Sequence, residues 1–253
     1  MADAKKVAER TGSVAIVGAG DFIGAAIARR FAAEGFHVHG GRRQGDKLDA
    51  LTAQIAAAGG TFTGHSLDAR SEEGIAAFLD AADADAPLTV CIFNIGANVS
   101  FPLLDTTERV FRKVLEMACY AGFLTGREAA RRMLAHGGGS IFFTGATASL
   151  RGGTGYAAFA SAKAGLRAAA QSMARELGPH NIHVAHLVID AGVDTAWARE
   201  RIAEAKGAEF AADLAPDTLV DPASIAEAYW QLHRQPRDAW THELDLRPYA
   251  ETW

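Results

Sequence analysis

Tyr156 and Lys163 stand seven residues apart in the segment Gly155-Tyr156-Ala157-Ala158-Phe159-Ala160-Ser161-Ala162-Lys163. Seven residues make about two helical turns, so on a continuous helix the phenol and the ammonium share nearly one face. A phenol near a cation can donate a proton to an oxygen on which negative charge develops. Two turns also separate the pair by about 10 Å along the axis, and helical side chains lean toward the amino terminus. Lys163 therefore reaches toward residue 159 first. That residue is Phe159, which has no exchangeable proton. Tyr156 would meet Lys163 only through a third group: a bound hydroxyl, a water or a substrate oxygen.

Other polar candidates surround this segment: Thr144, Thr147, Thr154, Tyr120 and Arg151. The threonines can hydrogen-bond a substrate but read first as ordinary strand-end or loop chemistry, and Arg151 reads first as an exposed loop cation that can hold an acidic or phosphorylated substrate. His180, His183 and His186 recur every three residues without further partners, so they read as surface or core histidines, and no metal site is expected.

A second constellation lies near the amino terminus. The apolar run 13–17 enters Gly18-Ala19-Gly20-Asp21-Phe22-Ile23-Gly24 and then a helical pattern with Ile23, Ile27 and Phe31 on one face. Glycines between a strand and a helix let backbone approach a pyrophosphate, which the free N–H groups of the helix start attract. Gly18, Gly20, Phe22, Ile23 and Gly24 are thus cofactor-binding candidates. The alternative is a tight turn that needs glycine for its own sake. The next strand-like run ends Gly40-Gly41-Arg42-Arg43. A carboxylate there suits a free ribose 2′-hydroxyl, whereas arginine accommodates a 2′-phosphate, so Arg42 and Arg43 favour NADP(H) over NAD(H). Asp21, inside the glycine loop, argues the other way by repelling a phosphate. Asp68 can accept from an adenine amino group or cap the helix that follows.

These residues need a scaffold, and the pattern supplies one. Strand-like runs at 13–17, 36–40, 61–65, 88–93, 140–144, 183–189 and 242–246 alternate with helix-like stretches at 22–34, 45–59, 71–83, 106–135, 155–178 and 222–235. Such alternation predicts a parallel sheet of about seven strands with helices on both faces, in a single domain spanning 1–253. Residues 195–222 break the rhythm as a helical insertion near the substrate, with Trp197 at its start. The composition agrees. Of 253 residues, 49% are apolar, the net charge is −5, and there are two cysteines, Cys91 and Cys119. This gives no electrostatic case for nucleic acid or anionic membrane, and no disulfide framework. No apolar run is long enough to span a bilayer, and Met1-Ala2-Asp3-Ala4-Lys5-Lys6 carries no apolar leader. A soluble, cytoplasmic protein is expected.

With these parts in order, the chain resembles the short-chain dehydrogenase/reductase family over nearly its whole length, to about Leu246. The resemblance rests on the glycine turn 18–24, on Asn94-Ile95-Gly96-Ala97, on the segment ending at Lys163 and on Val193-Asp194-Thr195. It implies a Rossmann-like, doubly wound fold and an NAD(P)(H)-dependent oxidoreductase acting on a small molecule. It implies that Asn94 and Gly96 support the sheet near the adenine ribose, that Lys163 holds the nicotinamide ribose, and that Thr195 holds the carboxamide. It also implies a homodimer or homotetramer built on the long helices 106–135 and 155–178. Trp240, Tyr249 and Trp253 offer a further contact or cover the domain edge.

The departures from the family pattern are specific. Its catalytic tyrosine corresponds to Phe159, its serine to Ala146 and its helix asparagine to Ala118; the middle glycine of its turn is Phe22, and its Pro-Gly after the sixth strand is Ile189-Asp190. Usual carbonyl reduction cannot run on these groups. The spacing of Tyr156 and Lys163 resembles the enoyl-acyl-carrier-protein reductases, which reduce an activated carbon–carbon double bond. Two expectations follow. One is an oxidoreductase with a non-standard site, reducing an activated C=C or C=O bond. The other is a catalytically silent dinucleotide-binding protein, a sensor or an oligomer subunit.

Overall fold

The computed structural model describes residues 12–251. The amino-terminal stretch 1–6 and Trp253, both considered above, lie outside the described residues. Strands β1 (Ser13–Val17), β2 (His37–Arg42), β3 (Thr61–Ser66), β4 (Leu88–Phe93), β5 (Gly139–Thr144), β6 (Ile182–Ile189) and β7 (Glu243–Leu246) form one sheet in the order β3-β2-β1-β4-β5-β6-β7. Every adjacent pair is parallel. This is the Rossmann-like, doubly wound α/β architecture. The order reverses between β1 and β4, so a crevice opens beyond their carboxyl ends, where such sheets bind ligands.

Helices cover both faces because the central strands are apolar on both sides. On one face α1 (Ile23–Ala33), α2 (Asp49–Ala57) and α9 (Pro222–His233) bury Ile27, Phe31, Leu51, Ile55, Tyr229 and Trp230. Phe31 meets Trp230 edge-on at 5.5 Å between ring centres. On the other, α3 (Glu72–Asp85), α5 (Ala121–Ala135) and α6 (Ala157–Leu177) bury Ile75, Phe78, Leu79, Leu124, Met133 and Leu166. Each such side chain contributes about 1.5–3 kcal/mol of burial. Cys91 is part of this second core, and burial pushes its thiol up to about 12, so it is inert.

The stretch 106–135 is not one regular helix. α4 (Glu108–Leu115) is capped by Thr107, whose hydroxyl accepts from the Val110 N–H at 3.3 Å. A π turn over Glu116–Tyr120 then joins α4 to α5. The apolar spacing of a π turn shifts by a single residue, so the sequence pattern reads as continuous. The insertion after β6 folds as α7 (Ala196–Lys206) and α8 (Ala208–Ala212). Among the described residues no helix is long and apolar enough to cross a membrane.

Candidate active site

The glycine turn is built by close approach. Gly18 takes φ +96°, and a Cβ there would lie 2.7 Å from the Asn94 carbonyl oxygen. A Cβ on Gly24 would lie 2.6 Å from the Gly18 oxygen, so the helix start packs directly on the turn. Gly20 has nothing within 4 Å of such an atom and opens onto the crevice. The N–H groups of Gly18 and Ala19 both reach the Gly41 carbonyl, at 2.9 and 3.0 Å. Phe22, 40% exposed, precedes α1 as its capping residue and leaves the helix start without a side-chain cap.

A polar chain fixes this turn from behind. The Asn94 amide donates to the Gly18 carbonyl at 3.1 Å. Thr144 donates to the Asn94 Oδ1 at 2.9 Å. Its single proton being used, Thr144 accepts from the Tyr229 hydroxyl at 2.7 Å. Tyr229 is fully buried on α9. Sequence reading missed it, since 85 residues separate it from Thr144. Lys163, 2% exposed, donates to the carbonyls of Thr144 at 2.8 Å and Ile95 at 2.9 Å. Burial pulls its ammonium down to about 7, and the two carbonyls favour the charged form against that pull.

Two connected hollows share Gly18, Gly20, Asn94, Ile95 and Gly96. One, of about 560 Å³, is lined by Arg42, Arg43, Asp68, Arg70 and Met117 among others. Here Arg42 donates to Asp21 at 2.6 Å, so the loop acid neutralises the nearer arginine instead of standing alone. Arg43 is exposed beside it. Asp68 does not cap α3: Ser71 does, accepting from the Gly74 N–H at 3.0 Å. Asp68 is instead clamped by Arg70, whose hydrogen bonds hold its carboxyl down at about 2. A carboxylate so held is a fixed acceptor facing the hollow.

The other hollow, of about 790 Å³, is lined by Phe22, Ile23, Thr147, Arg151, Tyr156, Phe159, Lys163, Thr195 and Trp197 among others. Tyr156 lies outside the helix proper. It is the residue that caps α6, at φ −108° and ψ 22°, after Gly155 turns the chain at φ +82°. The loop rather than the helix therefore aims its phenol, which corrects the shared-face expectation. Its ring packs on Phe159 at 6.5 Å between centres. Tyr120, expected nearby, is exposed and absent from this lining. Thr195 caps α7, accepting from the Ala198 N–H at 3.0 Å, with its hydroxyl proton still free to donate.

The three departures converge. Ala118 and Phe159 are buried in one small apolar cluster with Val114, Ala148 and Ala162, and Ala146 packs against it. Ala118 sits within the π turn, a distortion that often marks functional sites. At position 118 itself the turn presents only a methyl group. Asp190 is buried at the end of β6 and holds Arg151 at 3.0 Å, Arg247 at 3.2 Å and the Thr147 hydroxyl. Burial raises its pKa, but those partners outweigh burial and hold it below the usual carboxylate range. The charge of Arg151 is therefore committed to Asp190, a partnership sequence reading did not see. His183 stacks on Trp240 at 4.9 Å, and His186 is buried beside Glu243; neither joins His180 in a metal cluster.

Residues 13–206 match the short chain dehydrogenase family. The chain belongs to that family. Its curated relatives include the human dehydrogenase/reductase SDR family member 4, 31% identical over 168 residues, which span 65% of this chain and 60% of the human protein. They also include the 3-oxoacyl-acyl-carrier-protein reductase MabA of Mycobacterium tuberculosis, 30% identical over 188 residues, 74% of this chain and 71% of that one. A solved short-chain dehydrogenase from Rhodopseudomonas palustris is 60% identical, with a TM-score of 0.81, covering 95% of this chain and all of that one. A metagenomic short-chain oxidoreductase solved with NADP is 25% identical, with a TM-score of 0.76, covering 96% and 100%. Within this short-chain dehydrogenase the cleft fits a dinucleotide. Gly18 and Gly24 let the turn and the helix start close on one another, Gly20 opens onto the cleft with nothing within 4 Å of a Cβ, and Lys163 lines the same hollow.

Proposed function

We propose that this short-chain dehydrogenase binds NADP(H) and reduces a polarised double bond, a C=C conjugated to a carbonyl or a C=O, with Tyr156 as proton donor. The observation that carries the reading is that Tyr156 is the tyrosine lining the hollow that Lys163 also lines, where the usual acid is Phe159. A reduced nicotinamide, when bound, supplies the hydride. Arg43, with Arg42 once released from Asp21, would meet the 2′-phosphate, and the clamped Asp68 would accept from the adenine amino group. Lys163 would hold the ribose hydroxyls, and Thr195 would orient the carboxamide. Trp197 and Phe22 would close the hollow against water, strengthening each polar contact inside it. Tyr156 would then hydrogen-bond the substrate oxygen as charge develops on it and yield its proton to that oxygen, and an enol formed from a conjugated alkene would take its carbon proton from solvent after release. A conjugated alkene suits this site best, because its enolate oxygen sits away from the carbon that takes hydride. Stopped-flow loss of NADPH absorbance against enones, imines and ketones tests the reading: turnover on an enone supports it, and none across the panel defeats it.

A second reading is a silent NADP(H)-binding protein, a sensor or a subunit of a larger assembly. It is favoured by the burial of Ala118 and Phe159 in one apolar cluster that Ala146 joins. Calorimetric NADPH binding with no turnover on any member of the panel selects it. In either reading the protein would assemble as a homodimer or homotetramer through the π-turn and α5 surface, where Tyr120 and Phe123 are exposed. A monomeric mass independent of concentration would refute the assembly.

A further inference from the structure

We infer that His37, His39 and Asp85 form a binding site for a divalent transition ion of the zinc type, at the opposite end of β2 from the dinucleotide cleft. His37 and His39 are two apart on β2, so their rings share one face of the sheet and lie 4.3 Å apart between centres. Asp85 closes the group from the last residue of α3. One nitrogen from each ring and one carboxylate oxygen all lie within 4.8 Å of one another. The Asp85 Oδ2 is 3.4 Å from the His37 Nδ1 and 3.3 Å from the His39 Nε2. A tetrahedral ion with ligand bonds of about 2.0–2.2 Å sets its ligands roughly 3.3–3.6 Å apart. Both Asp85 edges fit.

The surrounding hydrogen bonds free the two atoms that face Asp85. The other nitrogen of His37, Nε2, meets the Thr63 hydroxyl at 2.8 Å. The other nitrogen of His39, Nδ1, meets the His65 Nε2 at 3.1 Å. If each of these outer nitrogens carries the proton, as metal-bound histidines regularly arrange, the His37 Nδ1 and the His39 Nε2 present bare lone pairs. The His39 side chain is 1% exposed, and its Nε2 has no hydrogen-bond partner. A buried ring nitrogen of this kind costs free energy unless something accepts its lone pair. A carboxylate oxygen cannot, and a cation can. Two imidazoles and a carboxylate suit zinc, with copper and nickel as competitors. His37 and Asp85 are 26% and 48% exposed, which leaves an entry path and room for a water as fourth ligand. The site would tie β2 to the end of α3, roughly 16 Å along the strand from Arg42 at about 3.3 Å per residue.

The test uses tag-free, full-length protein freed of metal with chelator. Titration with zinc chloride by calorimetry should show a single ion per chain, and thermal unfolding should shift upward with zinc. Cobalt should give the intense visible bands of a tetrahedral ion. Asp85→Asn and His37→Ala, both at accessible positions, should each weaken zinc binding by more than the roughly 10–100-fold that loss of an outer-shell partner costs, with NADPH affinity unchanged. Absence of saturable zinc binding overturns the inference. So does zinc binding that survives both substitutions in folded protein, or a cobalt spectrum without tetrahedral bands.

Discussion

The Arg42 guanidinium and the Asp21 carboxylate are paired at 2.6 Å across the glycine turn, joining the end of β2 to the loop that would cradle the pyrophosphate. One of the two arginines proposed to meet a 2′-phosphate is thus already paired with an acid two-thirds exposed to solvent. An exposed pair of this kind is held by about 1 kcal/mol or less. A dianionic phosphate can therefore draw Arg42 away, at the cost of leaving Asp21 nearby.

Removal of that acid should sharpen phosphate recognition. Asp21→Asn should tighten NADPH by about 3–10-fold, the worth of a charge-assisted contact at a partly exposed site. Affinity for NADH should stay within a factor of about two, since no phosphate meets Arg42 there. Arg42→Ala should loosen NADPH by a similar factor. Fluorescence titration of both cofactors at two salt concentrations measures this. Equal changes for NADPH and NADH would show that the pair shapes the loop rather than reads the phosphate.

The chain from Tyr229 through Thr144 to Asn94 predicts an effect at a distance. Tyr229→Phe deletes one buried hydroxyl and leaves Thr144 short of a donor. The expected cost is about 1 kcal/mol of stability. NADPH binding should weaken as well, because Asn94 holds the Gly18 carbonyl. Urea unfolding and cofactor titration on the same variant check both. A stability loss with unchanged cofactor affinity would confine Tyr229 to the core.

Stability should vary with pH in two windows with the same sign. Burial holds His186 down at about 4, against 6.5 in the unfolded chain. As pH falls from about 6.5 to 4 the unfolded state takes up the proton first, so stability is lost. Lys163 is held at about 7, against 10.5 unfolded. Between those values the unfolded state again binds more protons, so stability rises with pH. Lys163→Met should flatten the alkaline rise and leave the acid loss intact. Urea midpoints from pH 4 to 10 resolve the two windows. An alkaline rise that persists in Lys163→Met would assign it to another group.

Much of the scaffold was legible in the sequence because its signals are local. The apolar runs of β1 and β4 match the strands residue for residue, and Gly18, Asn94 and Lys163 declare themselves by type and spacing. What escaped depends on distant contacts or on backbone detail. Arg42 and Asp21 were separately visible, but only the fold brings them together. Asp190 read as a missing Pro-Gly, and its three partners come from two loops. Tyr156 read as helical because Ala157 onward is helical, while Gly155 at positive φ places it just outside. The π turn was hidden because Glu116–Tyr120 keeps helix-like composition.

Restoring the absent groups tests whether the cofactor half is competent. Phe159→Tyr combined with Ala146→Ser puts a phenol and a hydroxyl back beside Lys163. Ketone reduction should rise by about 100-fold or more over the parent, the usual worth of a positioned general acid. Circular dichroism and NADPH affinity establish that the variant is folded. A folded, NADPH-binding variant with no gain would place the cofactor out of register with Lys163.

The phenol of Tyr156 is the centre of the account, and single-turnover oxidation of bound NADPH by an enone tests it most directly. Tyr156→Phe should slow that step by about 100-fold or more, with NADPH affinity unchanged, because the ring still packs on Phe159. An unchanged rate in Tyr156→Phe would contradict the account and remove the phenol from the chemistry.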